Sequence, residues 1–222
     1  MQLVKLSLME TLSTDPPPRR ELPIVGGHLA LDFANTVDDP LGPARHDHAS
    51  TYDDLVRWAV RARAVTDGHA SRLLRTAASH ARDAAATIQQ AHELRASLNE
   101  IFGGIADGTP DIPKQWTRLR PFVVNAVANA TLDDTGLSAR QWAWPQVDDL
   151  AVVLHPIASA AADLLVSDDL RRVKRCARCP WLFLDNSKNR SRRWCDMNDC
   201  GKAQKIERYV ARRAAARRRA TG

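Results

Sequence analysis

CARCPWLFLDNSKNRSRRWCDMNDCGKA, residues 176–203, holds every cysteine of the chain: Cys176, Cys179, Cys195 and Cys200. The pattern is C-x2-C, fifteen residues, then C-x4-C. Zinc takes four thiolates in a tetrahedron, and a two-residue gap lets one tight turn aim two of them at a single ion. The segment between the pairs must leave and return. Pro180 to Asp185 reads as an outgoing strand, Asn186 to Arg190 as a turn, and Arg192 to Trp194 as the returning strand. Cys200-Gly201 then leads into a helix starting near Lys202. A hairpin between two ligand pairs, with a helix at the last ligand, predicts a treble-clef-like four-cysteine finger; a zinc ribbon is the alternative. One structural Zn2+ is expected, with no coordination position left open for catalysis. Buried or redox-active thiols are the competing reading.

The surroundings of this pattern are basic. Lys188, Arg190, Arg192 and Arg193 lie around the expected turn, and Lys202, Lys205, Arg208, Arg212 and Arg213 follow on the expected helix. On that helix Ile206, Tyr209, Val210 and Ala214 share one side, so they are expected to pack on the zinc hairpin against Phe183 and Trp194. The cations would then face outward. From Arg171 to Gly222 there are 17 Lys and Arg against 4 Asp and Glu, a net +13, whereas residues 1–170 carry 15 against 22, a net −7. Such a separation suggests two tasks on one chain, and the basic part suits phosphate. The nine named cations are the candidate nucleic-acid contacts; a solvated basic face is the blander reading. DNA is favoured, and RNA stays open because Trp181 or Trp194 could stack bases.

Toward the N-terminus the pattern turns helical. Tyr52 to Ala64 reads as a helix capped by Ser50 or Thr51. His69 to Phe102 reads as one long helix, with Leu73, Ala77, Ala84, Ile88, Ala91, Leu94, Leu98 and Ile101 recurring at three and four. Lys114 to Asn129 is a further helix. Thr131 to Trp144 is the best hairpin candidate, turning at Asp133 to Gly136. Pro145 opens a helix through Val166 that Pro156 is expected to kink. The fold class is therefore mainly α with a small β-hairpin (α+β), followed by the finger. The divisions are a leader over 1–21, a helical domain over 22–170 and the finger with its basic helix over 171–222.

Several of these residues resemble known families. Cys176-Ala-Arg-Cys179-Pro-Trp-Leu-Phe183-Leu-Asp185-Asn-Ser187-Lys, Arg192-Arg193-Trp194-Cys195-Asp-Met197 and Cys200-Gly201 resemble the CGNR zinc finger. Gly26-Gly27-His-Leu-Ala-Leu31-Asp32-Phe33-Ala-Asn35-Thr36-Val37 resembles the opening motif of the ABATE domain, which precedes that finger in bacterial proteins. The resemblance implies a stress-linked transcription regulator whose finger binds DNA and whose helical domain senses a signal. The name-giving Cys-Gly-Asn-Arg is here Cys200-Gly201-Lys202-Ala203, so the ligand is kept and the Asn and Arg are not.

Other functions find less support. His28, Asp32, Asn35 and Thr36 are a candidate ligand pocket for a small-molecule effector, although capping a helix or satisfying buried backbone is the commoner use of such residues. His46 and His48 with Asp47 read as a solvated loop rather than a metal site. No Ser-His-Asp order, phosphate loop or paired-carboxylate motif is present, so no catalytic residues are assigned and no enzyme is expected. An enzyme or metabolite-binding activity in the helical domain, and a thiolate redox switch, are the remaining alternatives. There is no secretory signal and no apolar run of membrane-spanning length, so a cytoplasmic protein without a membrane partner is expected. A homodimer would match two half-sites.

Overall fold

Leu29–Ala34 (α1), inside the Gly26 to Val37 motif, is a six-residue helix buried along Ala30, Leu31, Asp32, Phe33 and Ala34. A helix apolar on nearly every side can only sit inside, and α1 is the piece around which the others assemble. The computed structural model describes residues 22–38, 46–132, 142–145 and 147–220. The leader and the turn expected at Asp133 to Gly136 lie outside the described residues.

Tyr52–Arg61 (α2) starts where expected, with the Thr51 hydroxyl accepting from the Asp54 N–H. The long helix is two helices, Asp67–Ser79 (α3) and Ala81–Ala106 (α4). The break is at His80, whose backbone leaves the helical region (φ −127°, ψ 57°). Locally, the Ser79 hydroxyl donates to the Thr76 carbonyl, and the His80 ring lies 3.0 Å from that same carbonyl. Side chains that bond nearby backbone compete with the helical ladder in this way. The apolar repeat continues across the break, which is why periodicity hides it. Ile112–Ala128 (α5) begins slightly before the expected Lys114, because Asp111 caps it through the Lys114 N–H.

The helix expected from Pro145 is also corrected. A 3-10 segment, Leu150–Leu154, precedes His155–Val166 (α6). Pro156 falls in the first turn of α6, where a missing N–H breaks no ladder bond, so it starts a helix instead of kinking one. Two short antiparallel pairs complete this part. Val37–Asp38 (β1) pairs with His46–Asp47 (β2), and Thr131–Leu132 (β3) pairs with Trp142–Ala143 (β4).

The α4 helix runs through the centre and buries Leu94, Leu98, Ile101 and Phe102. It also buries Arg95, only 2% exposed. Arg95 is tolerable there because Asp47 pairs with both of its terminal nitrogens and the Thr36 hydroxyl accepts at 3.0 Å. Burial pushes the Asp47 carboxyl up, but the Arg95 guanidinium outweighs it and holds Asp47 below the usual carboxylate range. A charge buried this deeply persists only when paired and hydrogen-bonded. Among the described residues no helix is long and apolar enough to cross a membrane.

The C-terminal part is built on Val173–Arg175 (β5) antiparallel to Leu182–Leu184 (β6). The strand expected at Arg192–Trp194 does not form. Arg192 donates its N–H to the Asp185 carboxylate instead, and Arg193 offers its carbonyl to Ala177. The hairpin therefore wraps the first cysteine pair in its turn rather than joining the two pairs. Cys200 sits in a wide helical turn, Met197–Gly201, that feeds Lys202–Ala220 (α7).

The β6 strand serves two cores. Leu182 and Leu184 enter the main helical core, while Phe183 packs with Cys176, Cys195 and Cys200. Alternation along a strand sends neighbouring side chains to opposite faces, and here each face belongs to a different apolar cluster. The expected seat for α7 is thereby filled. Val25, Trp181 and Trp194 close the cluster around Phe183, and Ile206, Tyr209 and Val210 are left 53%, 55% and 58% exposed. The apolar stripe of α7 does not pack on the hairpin.

Candidate metal centre and basic helix

The four sulfurs lie within 4.8 Å of one another, and three of the four residues are buried. Cys179 and Cys195 Sγ are 3.5 Å apart, Cys179 and Cys200 3.7 Å, and Cys195 and Cys200 3.8 Å. None is in a disulfide, whose sulfurs would be about 2 Å apart. A metal bound by four sulfurs at about 2.3 Å, the zinc–thiolate length, sets its ligands about 3.8 Å from each other in a tetrahedron. The observed separations match that figure, so the residues present fit a tetrathiolate metal.

Without a cation the thiols oppose one another's ionisation. Cys179 and Cys195 donate to Cys176 and hold its thiol well below the ordinary range. Donation to Cys176 raises Cys179 to about 12 and pushes Cys195 up, and burial raises Cys200. Four thiolates need a cation at their centre, and metal binding would release the remaining protons.

Two side chains hold the loop between the cysteine pairs. Asp185 is fully buried. Its carboxylate accepts from Lys174 Nζ at 2.6 Å, from the Ser187 hydroxyl at 2.6 Å and N–H at 3.0 Å, and from the Arg192 N–H at 3.1 Å. Burial pushes this carboxyl up, but Lys174 and Ser187 outweigh it and bring it to about 2. Arg192, grouped by sequence with the nucleic-acid contacts, turns inward. Its guanidinium donates to the carbonyls of Trp194, Cys195 and Val25 and lies 4.6 Å over the Phe183 ring. It clasps the second half of the site to the first.

The residues read as a candidate ligand pocket are bonded within the chain. Asn35 forms a two-way bridge across 147 positions of sequence: its amide donates to the Leu182 carbonyl and its carbonyl accepts from the Leu182 N–H, both at 2.8 Å. The Thr36 hydroxyl donates to Phe33 and accepts from Arg95. His28 caps α1 through the Ala30 N–H. Asp32 accepts from the Gly26 N–H at 2.7 Å. A Cβ on Gly26 would lie 2.8 Å from the Asp32 backbone nitrogen, so this turn needs glycine. The Gly26 carbonyl then accepts from Leu184. The Gly-Gly motif and Asn35 together form the seam between the helical core and β6. Arg175 strengthens it by pairing with Asp107 through two nitrogens while its guanidinium lies over Gly103.

Burial pushes the Asp32 carboxyl up to about 6, against the opposing pull of N–H groups from Gly26, Val25 and His28. Folding thus favours its neutral form. The stability this contributes is full below the unfolded value, near 3.8, and is lost as pH rises through about 6. Between pH 5 and 8 the loss should be about 1 kcal/mol. In metal-replete protein, Asp32→Asn should remove this component, so urea midpoints of variant and wild type should diverge in the variant's favour as pH rises. A constant difference across that range would show that Asp32 ionises as freely as in water.

Eight of the nine sequence-selected cations are exposed: Lys188, Arg190, Arg193, Lys202, Lys205, Arg208, Arg212 and Arg213. The acidic residue of α7, Glu207, pairs with Arg178 beside the first cysteine pair and ties the start of the helix to the finger. Arg213 lies over the Tyr209 ring. His46, His48 and Asp47 belong to the β1–β2 hairpin, with His48 paired to Asp38. Sequence reasoning missed Arg95, Lys174 and Asp107. Only Arg95 left a signal, a cation standing on the apolar side of α4.

Among known families, one described as "Putative stress-induced transcription regulator", ABATE, matches residues 27–168, and the CGNR zinc finger matches residues 172–213. No curated protein matches the chain.

Proposed function

The chain belongs to the ABATE family, with a CGNR zinc finger after that domain, and from this membership we propose that it is a DNA-binding transcription regulator. Zinc is the metal at Cys176, Cys179, Cys195 and Cys200. It supplies folding energy to a segment too small to hold itself together by apolar burial, and it has no catalytic part. The helical domain receives a signal or mediates association, and the seam at Asn35 and Gly26 is the path by which its state reaches the finger. The protein is not an enzyme and works in the cytoplasm.

The observation that carries this reading is α7. It leaves the metal centre as a 19-residue helix with five exposed cations, Lys202, Lys205, Arg208, Arg212 and Arg213, and its Glu207 is already paired. Lys188, Arg190 and Arg193 extend the same charge onto the finger loop. Neutralised phosphates release counterions, so binding should weaken steeply with salt. If all eight cations touch phosphate, log K should fall against log salt with a slope of about −7, and each Lys or Arg changed to Ala should reduce it by about 1. Titration of duplex DNA with the holo-protein at several salt concentrations measures both. No retention at low ionic strength would overturn the proposal.

A further inference from the structure

Beyond phosphate, α7 has a second exposed feature. Ile206 and Val210 sit one turn apart, with Tyr209 beside them, each more than half exposed. Within the described residues the main contact of α7 is with the turn that carries Cys200. An isolated helix of this length is marginal in water, so a bare apolar side on it calls for a partner that covers it.

Charge selects the partner. Lys202–Ala220 carries eight Lys and Arg against Glu207. A second α7 laid against this side would set two strongly cationic rods together, whereas a polyanion is complementary on every flank. The major groove of duplex DNA is about 12 Å wide and admits one α-helix. A helix lying in it has phosphates along both walls and base edges beneath. The apolar group displayed on that floor is the thymine methyl. On α7, Lys202 lies one turn before Ile206 and Arg213 one turn after Val210 on the same side, while Lys205, Arg208 and Arg212 recur at three and four on the far side. Gln204 is the one amide side chain on the helix and, two residues from Ile206, it lies on the far side, so the ridge side offers no amide to pair with adenine.

We infer that α7 lies in the DNA major groove with Ile206 and Val210 against thymine methyl groups, so that phosphate contacts give affinity and methyl contacts give sequence preference. This rests on the DNA-binding reading above and adds what the helix recognises. A-form RNA is excluded as the equivalent ligand on two counts: its major groove is too deep and narrow for side chains, and uracil lacks the methyl.

The test uses the full-length holo-protein and a duplex selected by it from random DNA. Replacing every thymine by deoxyuridine removes the methyls and keeps the phosphates and base pairing. The wild type should bind the uracil duplex about tenfold more weakly, the scale of one or two base-edge contacts. Ile206→Ala with Val210→Ala should bind both duplexes equally, at the wild type's uracil level, with helix content unchanged because alanine favours helix. Equal wild-type affinity for the two duplexes, with salt-dependent binding intact, would overturn the inference and leave DNA binding standing. A change in oligomeric state of the double variant without DNA would also overturn it, assigning the ridge to a protein interface, as would preference for structured RNA. Absence of binding to any nucleic acid would defeat the DNA-binding reading itself.

Discussion

Removing the metal is expected to destabilise the whole chain, not only its last fifty residues. Without a central cation the four sulfurs cannot all ionise, and the turns that carry them lose their fixed point. The hairpin they hold includes β6, and Leu182 and Leu184 of β6 are buried in the main core. Chelation or Cys200→Ser should therefore lower the Tm of the helical domain by about 10 °C, the shift that a loss of about 4 kcal/mol produces in a chain of this size. The DNA binding proposed above should fall to the level of residual charge attraction, because α7 loses its seat. Calorimetry of holo and chelated protein, with circular dichroism to follow the helices, measures the first effect. An unchanged main transition would mean that the helical core closes without β6.

Asn35→Ala should be nearly as damaging, from a residue far from the metal. The substitution leaves the N–H and the carbonyl of Leu182 buried and unpaired. Each such group costs about 1–3 kcal/mol, so the loss should be about 2–6 kcal/mol, and the small cavity adds to it. Asn35→Asp is the informative companion. It keeps an acceptor for the Leu182 N–H but offers the Leu182 carbonyl no donor and places a charge in a buried site, so it should not rescue. The Leu182 amide should exchange hydrogen much faster in both variants. Full protection of that amide in Asn35→Ala would show that the bridge is dispensable.

The metal centre and the Asn35 bridge differ in how far the sequence announces them. The cysteines are legible because their spacing is local and a metal imposes its own geometry on it. The helices are legible from repeats at three and four, down to the Thr51 cap. The break at His80 is not, since the apolar residues keep their phase through it and the cause is a side chain bonding its own turn. The Asn35–Leu182 bridge joins residues 147 positions apart, and nothing in either neighbourhood announces the other. The inward turn of Arg192 is concealed by its company, because a cation among cations reads as surface until the carbonyls it reaches are located. The position of α7 escapes the sequence for a related reason. Its apolar stripe is visible, but the place prepared for it is occupied by Val25, which arrives from the far end of the chain.

The two-faced character of β6 also limits how this finger can be inherited. Cut free near residue 171 and grafted elsewhere, it would carry two naked leucines and an unanswered peptide group into its new host, and the truncated donor would be left with a matching hole. Such a piece cannot shuffle between proteins as an independent cassette. It has to travel with its helical companion, so a substitution on one side of the seam constrains which substitutions the other side can later accept.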